Sequence, residues 1–181
     1  MIIYAVIITL RGKANKEIAI LREQYNKYIN YIIVPHITLL YPISLKNDLT
    51  AVCTKLDEVA HQTKPFVIEL NGVQYFEGRN NVAYVAIEKR QPVFDLHYHI
   101  NRALSKATIN NTNQPYTYEQ FTPHVTIAEL IPADIFPYIK MELSKLVLRY
   151  RVRIDSFSLF SAEQNKTWET WKQGQVFKLL G

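Results

Sequence analysis

The feature that most constrains this chain is a short string that occurs twice, PHITL at residues 35–39 and PHVTI at residues 123–127. Both copies read proline, histidine, an apolar residue, threonine and an apolar residue. Because residues i and i+2 of a strand point to the same face, each copy predicts a strand that turns its histidine and threonine one way and its apolar residues the other. Proline donates no hydrogen bond to a sheet, so each copy also marks where strand pairing begins.

The apolar periodicity around the two strings alternates between strand and helix spacing. The first half predicts strands at 2–10, 34–43 and 66–76. It also predicts a helix that begins at Gly12 or Asn15 and has one apolar face, formed by Ile18, Leu21, Tyr25 and Tyr28. A second helix is predicted after an N-cap at Asn47 or Asp48. The second half predicts strands at 81–89 and 121–130, helices at 93–106 and after a cap at Asp134, and closing strands at 148–161 and 168–180. The polar stretch 110–116 is expected to be a loop.

The same order of elements therefore occurs twice, with one extra strand at the end. This order predicts an internal duplication with repeats at approximately 1–80 and 81–181. Mixed helices and hairpins favour the α+β class with largely antiparallel sheets. We expect a single bilobal domain over 1–181, in which two sheets face a central cleft and the helices lie outside, because 181 residues suit one sizeable core.

Composition narrows the surroundings and the partners. The single cysteine, Cys53, excludes an internal disulfide, and no basic leader precedes the apolar start, so a cytoplasmic location is expected. No run reaches the roughly 18 apolar residues of a membrane span, which predicts no membrane partner. The net charge of +5 and the pI of about 9.2 are compatible with a polyanion. A monomer is expected, although the sequence does not fix the oligomeric state.

If the two lobes pack about a pseudo-twofold axis, four polar side chains line one cleft: His36, Thr38, His124 and Thr126. With an ordinary pKa near 6.5, one imidazole can accept a proton while the other donates one, which suits phosphodiester chemistry. We assign His36 as base and His124 as acid, and the reverse assignment stays open. The threonine hydroxyls would donate to the non-bridging phosphate oxygens. This chemistry requires no metal or cofactor.

The duplicated string and the order of elements resemble the two-histidine (2H) phosphoesterase superfamily, in its bacterial 2′-5′ RNA ligase-like branch. The resemblance covers the whole chain, and PHITLLYP (35–42) is close to the first motif of that branch. It implies a bilobal α+β fold and metal-free action on cyclic phosphates or 2′-5′ linkages by the two histidines and two threonines. An arginine commonly follows the second motif in better-known members, where this chain has Glu129. Strand alternation predicts Ala128 on the side of the catalytic pair and Glu129 on the core side, so Glu129 is expected at the end of the strand.

Other residues have a functional and a structural interpretation. Tyr41, Tyr84 and Phe160 are candidates for covering a base, with core packing as the alternative for each. The alternating arginines 149, 151 and 153 form either a phosphate-binding rim or a solvated strand face. His97 and His99 point in different directions on a helix, which favours structural or surface roles over a metal site.

Three hypotheses of function follow. The first is a phosphoesterase that acts on RNA ends or on small cyclic or oligonucleotide substrates, with ligation when the 5′-hydroxyl of another RNA end replaces water. The second is a non-catalytic RNA- or nucleotide-binding module that retains the cleft. The third is a phosphoesterase of small metabolites, which differs from the first only in the size of the cleft.

Overall fold

The structure of this protein is a computed structural model that describes residues 1–27, 33–46, 48–88, 90–110, 121–166 and 170–181. The elements in chain order are β1 (Ile2–Thr9), α1 (Gly12–Tyr25), β2 (His36–Leu45), α2 (Leu49–Gln62), β3 (Phe66–Phe76), β4 (Asn81–Ile87), α3 (Gln91–Leu104), β5 (Thr108–Asn110), β6 (His124–Ile131), α4 (Phe136–Ser144), β7 (Arg149–Ile154), β8 (Ser156–Glu163) and β9 (Lys172–Lys178). None of the helices in these ranges has the length and apolarity that a bilayer crossing requires.

The strands form two antiparallel sheets. The first has the order β5-β2-β1-β8-β9, and the second has the order β6-β4-β3-β7. Helices α2 and α3 pack on the first sheet, whereas α1 contacts the two edge strands of the second. The ring of Phe136 in α4 meets the ring of Tyr75 in β3 edge to face at 5.8 Å. The predicted α+β class with two antiparallel sheets and outer helices is confirmed.

The two sheets do not coincide with the two halves of the sequence. β3, from the first half, pairs with β4 and β7 in the second sheet. β8 and β9, from the second half, complete the first sheet, where β8 pairs with β1. Each half of the chain therefore supplies strands to both sheets.

The predicted closing strand at 148–161 is wrong as a single element. The structure divides it at Asp155 into β7 and β8, which belong to different sheets. The two parts also differ in burial. β7 alternates between exposed and buried residues, as a strand with one solvated face does, whereas residues 157–160 of β8 are all buried beside β1. Apolar periodicity does not distinguish them, because pairing partners far along the chain decide to which sheet each part belongs.

Helix starts were predicted less well than helix positions. α2 begins after Asp48, which occupies the N-cap position without a capping hydrogen bond from its side chain. α4 begins at Phe136, one residue beyond an N-cap at Ile135, so Asp134 does not cap it. Tyr28, Asn47 and most of the expected loop lie outside the described residues, and the short strand β5 was not predicted.

Candidate active site

Each repeated string begins a strand, as its proline predicts. His36 is the first residue of β2, and His124 is the first residue of β6. The residues between histidine and threonine, Ile37 and Val125, are completely buried, whereas both histidines and both threonines are half-buried. Both motif strands thus bury their apolar side and leave the histidine and threonine on the opposite face.

The two motif strands also pair alike. Thr38 lies opposite Ile7 of β1, and Thr126 lies opposite Tyr84 of β4. In both pairs the register then shifts by one residue, so that Leu40 is the next partner on β2 and Ala128 the next on β6. A shift of this kind is a β-bulge, in which two consecutive residues oppose one.

Because of the bulge, the predicted faces of Ala128 and Glu129 are wrong. Ala128, expected beside the catalytic pair, has no exposed surface and belongs to the main core. Glu129, expected on the core side, is half-buried, and its backbone N–H donates to Oδ1 of Asn26 at 3.2 Å. Alternation failed because the bulge adds one residue of β6 without a partner of its own after Thr126, which reverses the faces of the residues that follow. Tyr41 is the equivalent residue of the first motif, five positions after its histidine.

Both imidazoles are held by the same contact. Nδ1 of His36 lies 2.9 Å from the carbonyl oxygen of Val34, and Nδ1 of His124 lies 2.7 Å from that of Thr122. A carbonyl oxygen only accepts, so Nδ1 carries the hydrogen and donates it. The unprotonated nitrogen of each neutral ring is therefore Nε2, which is the atom that can take a proton from a reacting group.

The two histidines are within electrostatic reach of each other, because their strands β2 and β6 are in contact. Burial, then the charge of Arg22 and to a smaller extent that of His124, lowers the pKa of His36 from 6.5 to about 4. Burial also lowers the pKa of His124, against the opposing hydrogen bond to Thr122. The charge of Arg22 contributes to the lowered pKa of His36 but not to that of His124, so the two rings differ in their charge environment.

Sequence analysis missed Arg22, a residue of α1 that is only 6% exposed. Its Nε donates to the carbonyl oxygen of Thr126 at 2.8 Å, and its Nη1 donates to that of Ile33 at 3.0 Å. One guanidinium thus joins the backbone of the second motif to the segment that precedes the first. The available signal was its spacing, since Arg22 lies four residues after the buried Ile18, on the buried side of the helix.

Aromatic side chains flank His124. The rings of Phe76 and Tyr84 stack at 4.3 Å between centroids, and each centroid lies 5.1 Å from that of His124. Tyr84 is buried, and its hydroxyl donates to Oε1 of Gln74 at 3.3 Å. The structure therefore places the candidate Tyr84 next to His124 and adds Phe76, which sequence analysis missed.

The first sheet carries an equivalent aromatic residue. Phe160 pairs with Ala5 beside β2, just as Phe76 pairs with Val82 beside β6. With Ala5, Ile7, Ile33 and Trp171, it forms a small apolar cluster separate from the main core. The duplication thus extends from the histidines to the strands beside them.

The remaining candidates lie elsewhere. Tyr41 lines a cavity of about 330 Å³ with residues of α3 that include Asn101 and Leu104, and neither motif histidine lines this cavity. His97 is buried in the interior, with Nδ1 2.7 Å from the carbonyl oxygen of Leu39 and its ring stacked on Phe121 at 3.8 Å. Within the described ranges, no group of three or more His, Cys, Asp or Glu side chains is placed to hold a metal ion.

A family model described as the 2′-5′ RNA ligase superfamily matches residues 11–166. The chain belongs to this superfamily. Two of its relatives are proteins named "Putative phosphoesterase". That of Oceanobacillus iheyensis is 28% identical over 165 residues, which are 91% of this chain and 89% of that protein. That of Bacillus cytotoxicus is 29% identical over 177 residues, or 93% of each chain.

Solved structures share the superfamily fold at low identity. TT0787 of Thermus thermophilus superposes with a TM-score of 0.72 at 16% identity, covering 99% of this chain and 98% of that one. LigT of E. coli, solved in complex with 3′-AMP, superposes with a TM-score of 0.62 at 14% identity and the same coverage. At these identities the likeness establishes the bilobal α+β fold.

Proposed function

We propose that this protein is a metal-independent phosphoesterase that acts on 2′,3′-cyclic phosphates or 2′-5′ linkages of RNA and nucleotides. The observation that carries the proposal is the pair of imidazoles, each anchored through Nδ1 to the carbonyl two residues earlier, with a threonine two residues later on the same face. Two such groups on touching strands supply a base and an acid on either side of one phosphorus atom.

In hydrolysis, Nε2 of His36 takes a proton from water while the water oxygen forms a bond to phosphorus. The bond from phosphorus to one ribose oxygen breaks, and His124 gives its Nε2 proton to that oxygen. The hydroxyls of Thr38 and Thr126 donate to the non-bridging oxygens, where negative charge accumulates. When the 5′-hydroxyl of another RNA end replaces water, the same steps form a phosphodiester.

The difference between the two rings supports this order of roles. The charge of Arg22 favours the neutral form of His36, as a base requires. His124 must carry a proton as the acid, and a phosphate between the rings raises its pKa because opposite charges stabilise each other. A nucleobase would stack on Phe76, with the buried Tyr84 supporting that ring from behind. The complex of LigT with 3′-AMP supports a nucleotide as ligand.

The test is hydrolysis of 2′,3′-cyclic nucleotides in the presence of a chelator. We expect H36A and H124A each to lower kcat/KM by about 10²- to 10⁴-fold. H61A is the matched control, since His61 is exposed on α2 and bonded within its own helix. Full activity in either motif variant would overturn the assignment, and loss of activity in the chelator would overturn the metal-free mechanism. RNA binding that survives both substitutions without turnover would identify a binding module instead.

A further inference from the structure

Three arginines lie in a row along β7, the edge strand of the second sheet. Arg149, Arg151 and Arg153 are exposed and alternate with Tyr150, Val152 and Ile154, which belong to the main core. Within the described part of the chain, no carboxylate oxygen lies within 4.0 Å of any of the three guanidinium groups. We call these three residues the arginine stripe.

The pairing register places the arginine stripe on the same face as His124. Residues opposite each other in antiparallel strands share a face, and Leu70 with its partners Ile87 and Tyr150 faces the core. The next residue along β3, Asn71, therefore faces away from the core, and its partner on β7 is Arg149. Ala86, next to Ile87, faces the same way and is the partner of His124.

On this face a path thus leads from His124 and its partner Ala86, across the register shift between Leu70 and Val73 of β3, to Asn71 and its partner Arg149. Neighbouring strands lie about 4.8 Å apart, so this path spans roughly 14 Å from the catalytic histidine to the arginine stripe. Along the strand direction, Arg151 and Arg153 lie farther from Phe76 than Arg149 does, since they are opposite residues that precede Asn71 in β3. Across the sheet, His124 and the arginine stripe lie on opposite edge strands, β6 and β7, and Phe76 and Tyr84 lie on the two strands between them.

Two further cations lie beside the arginine stripe. A cavity of about 430 Å³ runs along β7 and is also lined by Arg11 and Lys13. Those two cations contact Asp155 at 3.5 Å and Glu17 at 3.6 Å.

Two carboxylates lie one or two strands inward on the face of the arginine stripe. Glu69 is opposite Arg151, and Glu88 accepts a hydrogen bond from Asn71. The arginine stripe therefore adds positive charge to this face that no carboxylate of the described residues pairs with.

We propose that the arginine stripe binds the backbone phosphates of an RNA chain whose reacting phosphate lies between His36 and His124. The substrate class is then the end of a polynucleotide, since the arginine stripe begins about three strands away from the reacting phosphorus. This inference rests on the proposed function for the position of the reacting phosphate. Charged residues on an edge strand also prevent sheet-to-sheet aggregation, and the test separates this role from RNA binding.

The experiment measures binding of a short single-stranded RNA that ends in a 3′-phosphate, as a function of salt, with 3′-AMP as the mononucleotide probe. Each phosphate contact with a single strand contributes about 0.7 to the slope of log K against log salt. Replacing all three arginines by Gln should reduce the magnitude of that slope by about 2 and leave the affinity for 3′-AMP unchanged. Replacing them by Lys should preserve the slope, because the charge is kept.

The matched control replaces three cations of the helices that pack on the first sheet, Lys55 in α2, Arg102 in α3 and Lys106 just after α3, by Gln and should leave the slope unchanged. An unchanged slope in the stripe variant, or an equal loss in the control, would overturn the inference, as would an equal loss of 3′-AMP affinity. Aggregation of the stripe variant with an unchanged slope would assign the arginines to edge protection. If the wild-type chain turns over no substrate but the slope difference persists, the proposed catalysis fails and the RNA-binding role stands.

Discussion

At the scale of single residues, the difference between the two histidines predicts an acidic pH optimum for kcat/KM. The active form needs His36 neutral, so activity falls as the pH drops through the pKa of His36 near 4. It also needs His124 protonated, so activity falls as the pH rises through a pKa that burial has lowered from 6.5. We therefore expect a bell-shaped profile with its maximum below pH 6.5. A maximum at neutral or alkaline pH would contradict this assignment.

Arg22 tests the same assignment independently. Replacing it by Met removes the charge that helps to depress the pKa of His36, so the acidic limb of the profile should move to higher pH. The carbonyl oxygens of Thr126 and Ile33 lose their donor, which should lower the free energy of unfolding by about 1–3 kcal/mol. R102M, at an exposed position of α3, should leave both the pH profile and the stability unchanged. An acidic limb that stays in place in R22M would show that Arg22 does not set the state of His36.

At the scale of strands, alternation predicted the faces of the histidines and threonines but failed beyond them. Ile37 and Val125 are buried as expected, because the first residues of each motif follow the period of two. The predictions for Ala128 and Glu129 are wrong, since the bulge after Thr126 depends on pairing with β4 and not on local sequence. Alternation thus predicted the faces correctly over the first three residues of each strand, where the backbone is regular, and failed at the bulge.

Gly72 allows a direct test of a second irregularity, in β3. Its φ of 68° lies in the left-handed region, and the register shifts between Leu70 and Val73 around it. This shift turns Phe76 toward His124 while Val73 packs against the core. Because a Cβ at Gly72 would meet no atom within 4 Å, Gly72→Ala should cost only the conformational penalty of about 1–2 kcal/mol.

Urea denaturation measures that cost. Gly72→Asn is the matched comparison and should be less destabilising, because asparagine tolerates the left-handed region better than alanine. Equal stability of Gly72→Ala and the wild type would show that the strand adopts its register without this conformation.

At the scale of the whole molecule, the exchange of strands between the two halves predicts a single cooperative unit. A chain cut in the turn between β3 and β4 gives fragments 1–80 and 81–181. In the first fragment, β1 lacks its partner β8, and β3 lacks both β4 and β7. We expect neither fragment to show a cooperative thermal transition alone, and the mixture to recover one that resembles the intact chain. Cooperative unfolding of either isolated fragment would contradict this expectation.

This exchange also limits what the sequence can reveal about the fold. The duplicated strings and the order of elements suffice to predict two antiparallel sheets, because both are encoded locally. The assignment of β3 and β8 to particular sheets depends on partners far along the chain, as does the burial of Arg22 against Thr126 and Ile33. Periodicity carries no information about such partners, so these features are evident only in the three-dimensional structure.

The buried histidines finally predict that the whole fold loses stability in acid. Burial lowers the pKa of His36, His97 and His124 in the folded state below 6.5, so protonation favours the unfolded chain. Their contribution is complete above pH 6.5 and is lost as the pH falls toward the folded-state values. For His36, with a folded pKa of about 4, the loss approaches about 3 kcal/mol below pH 4. The measurement is urea unfolding between pH 7 and pH 4. The control variant H61A should follow the wild type. A free energy of unfolding that does not change with pH across this range would show that the fold does not hold these rings neutral.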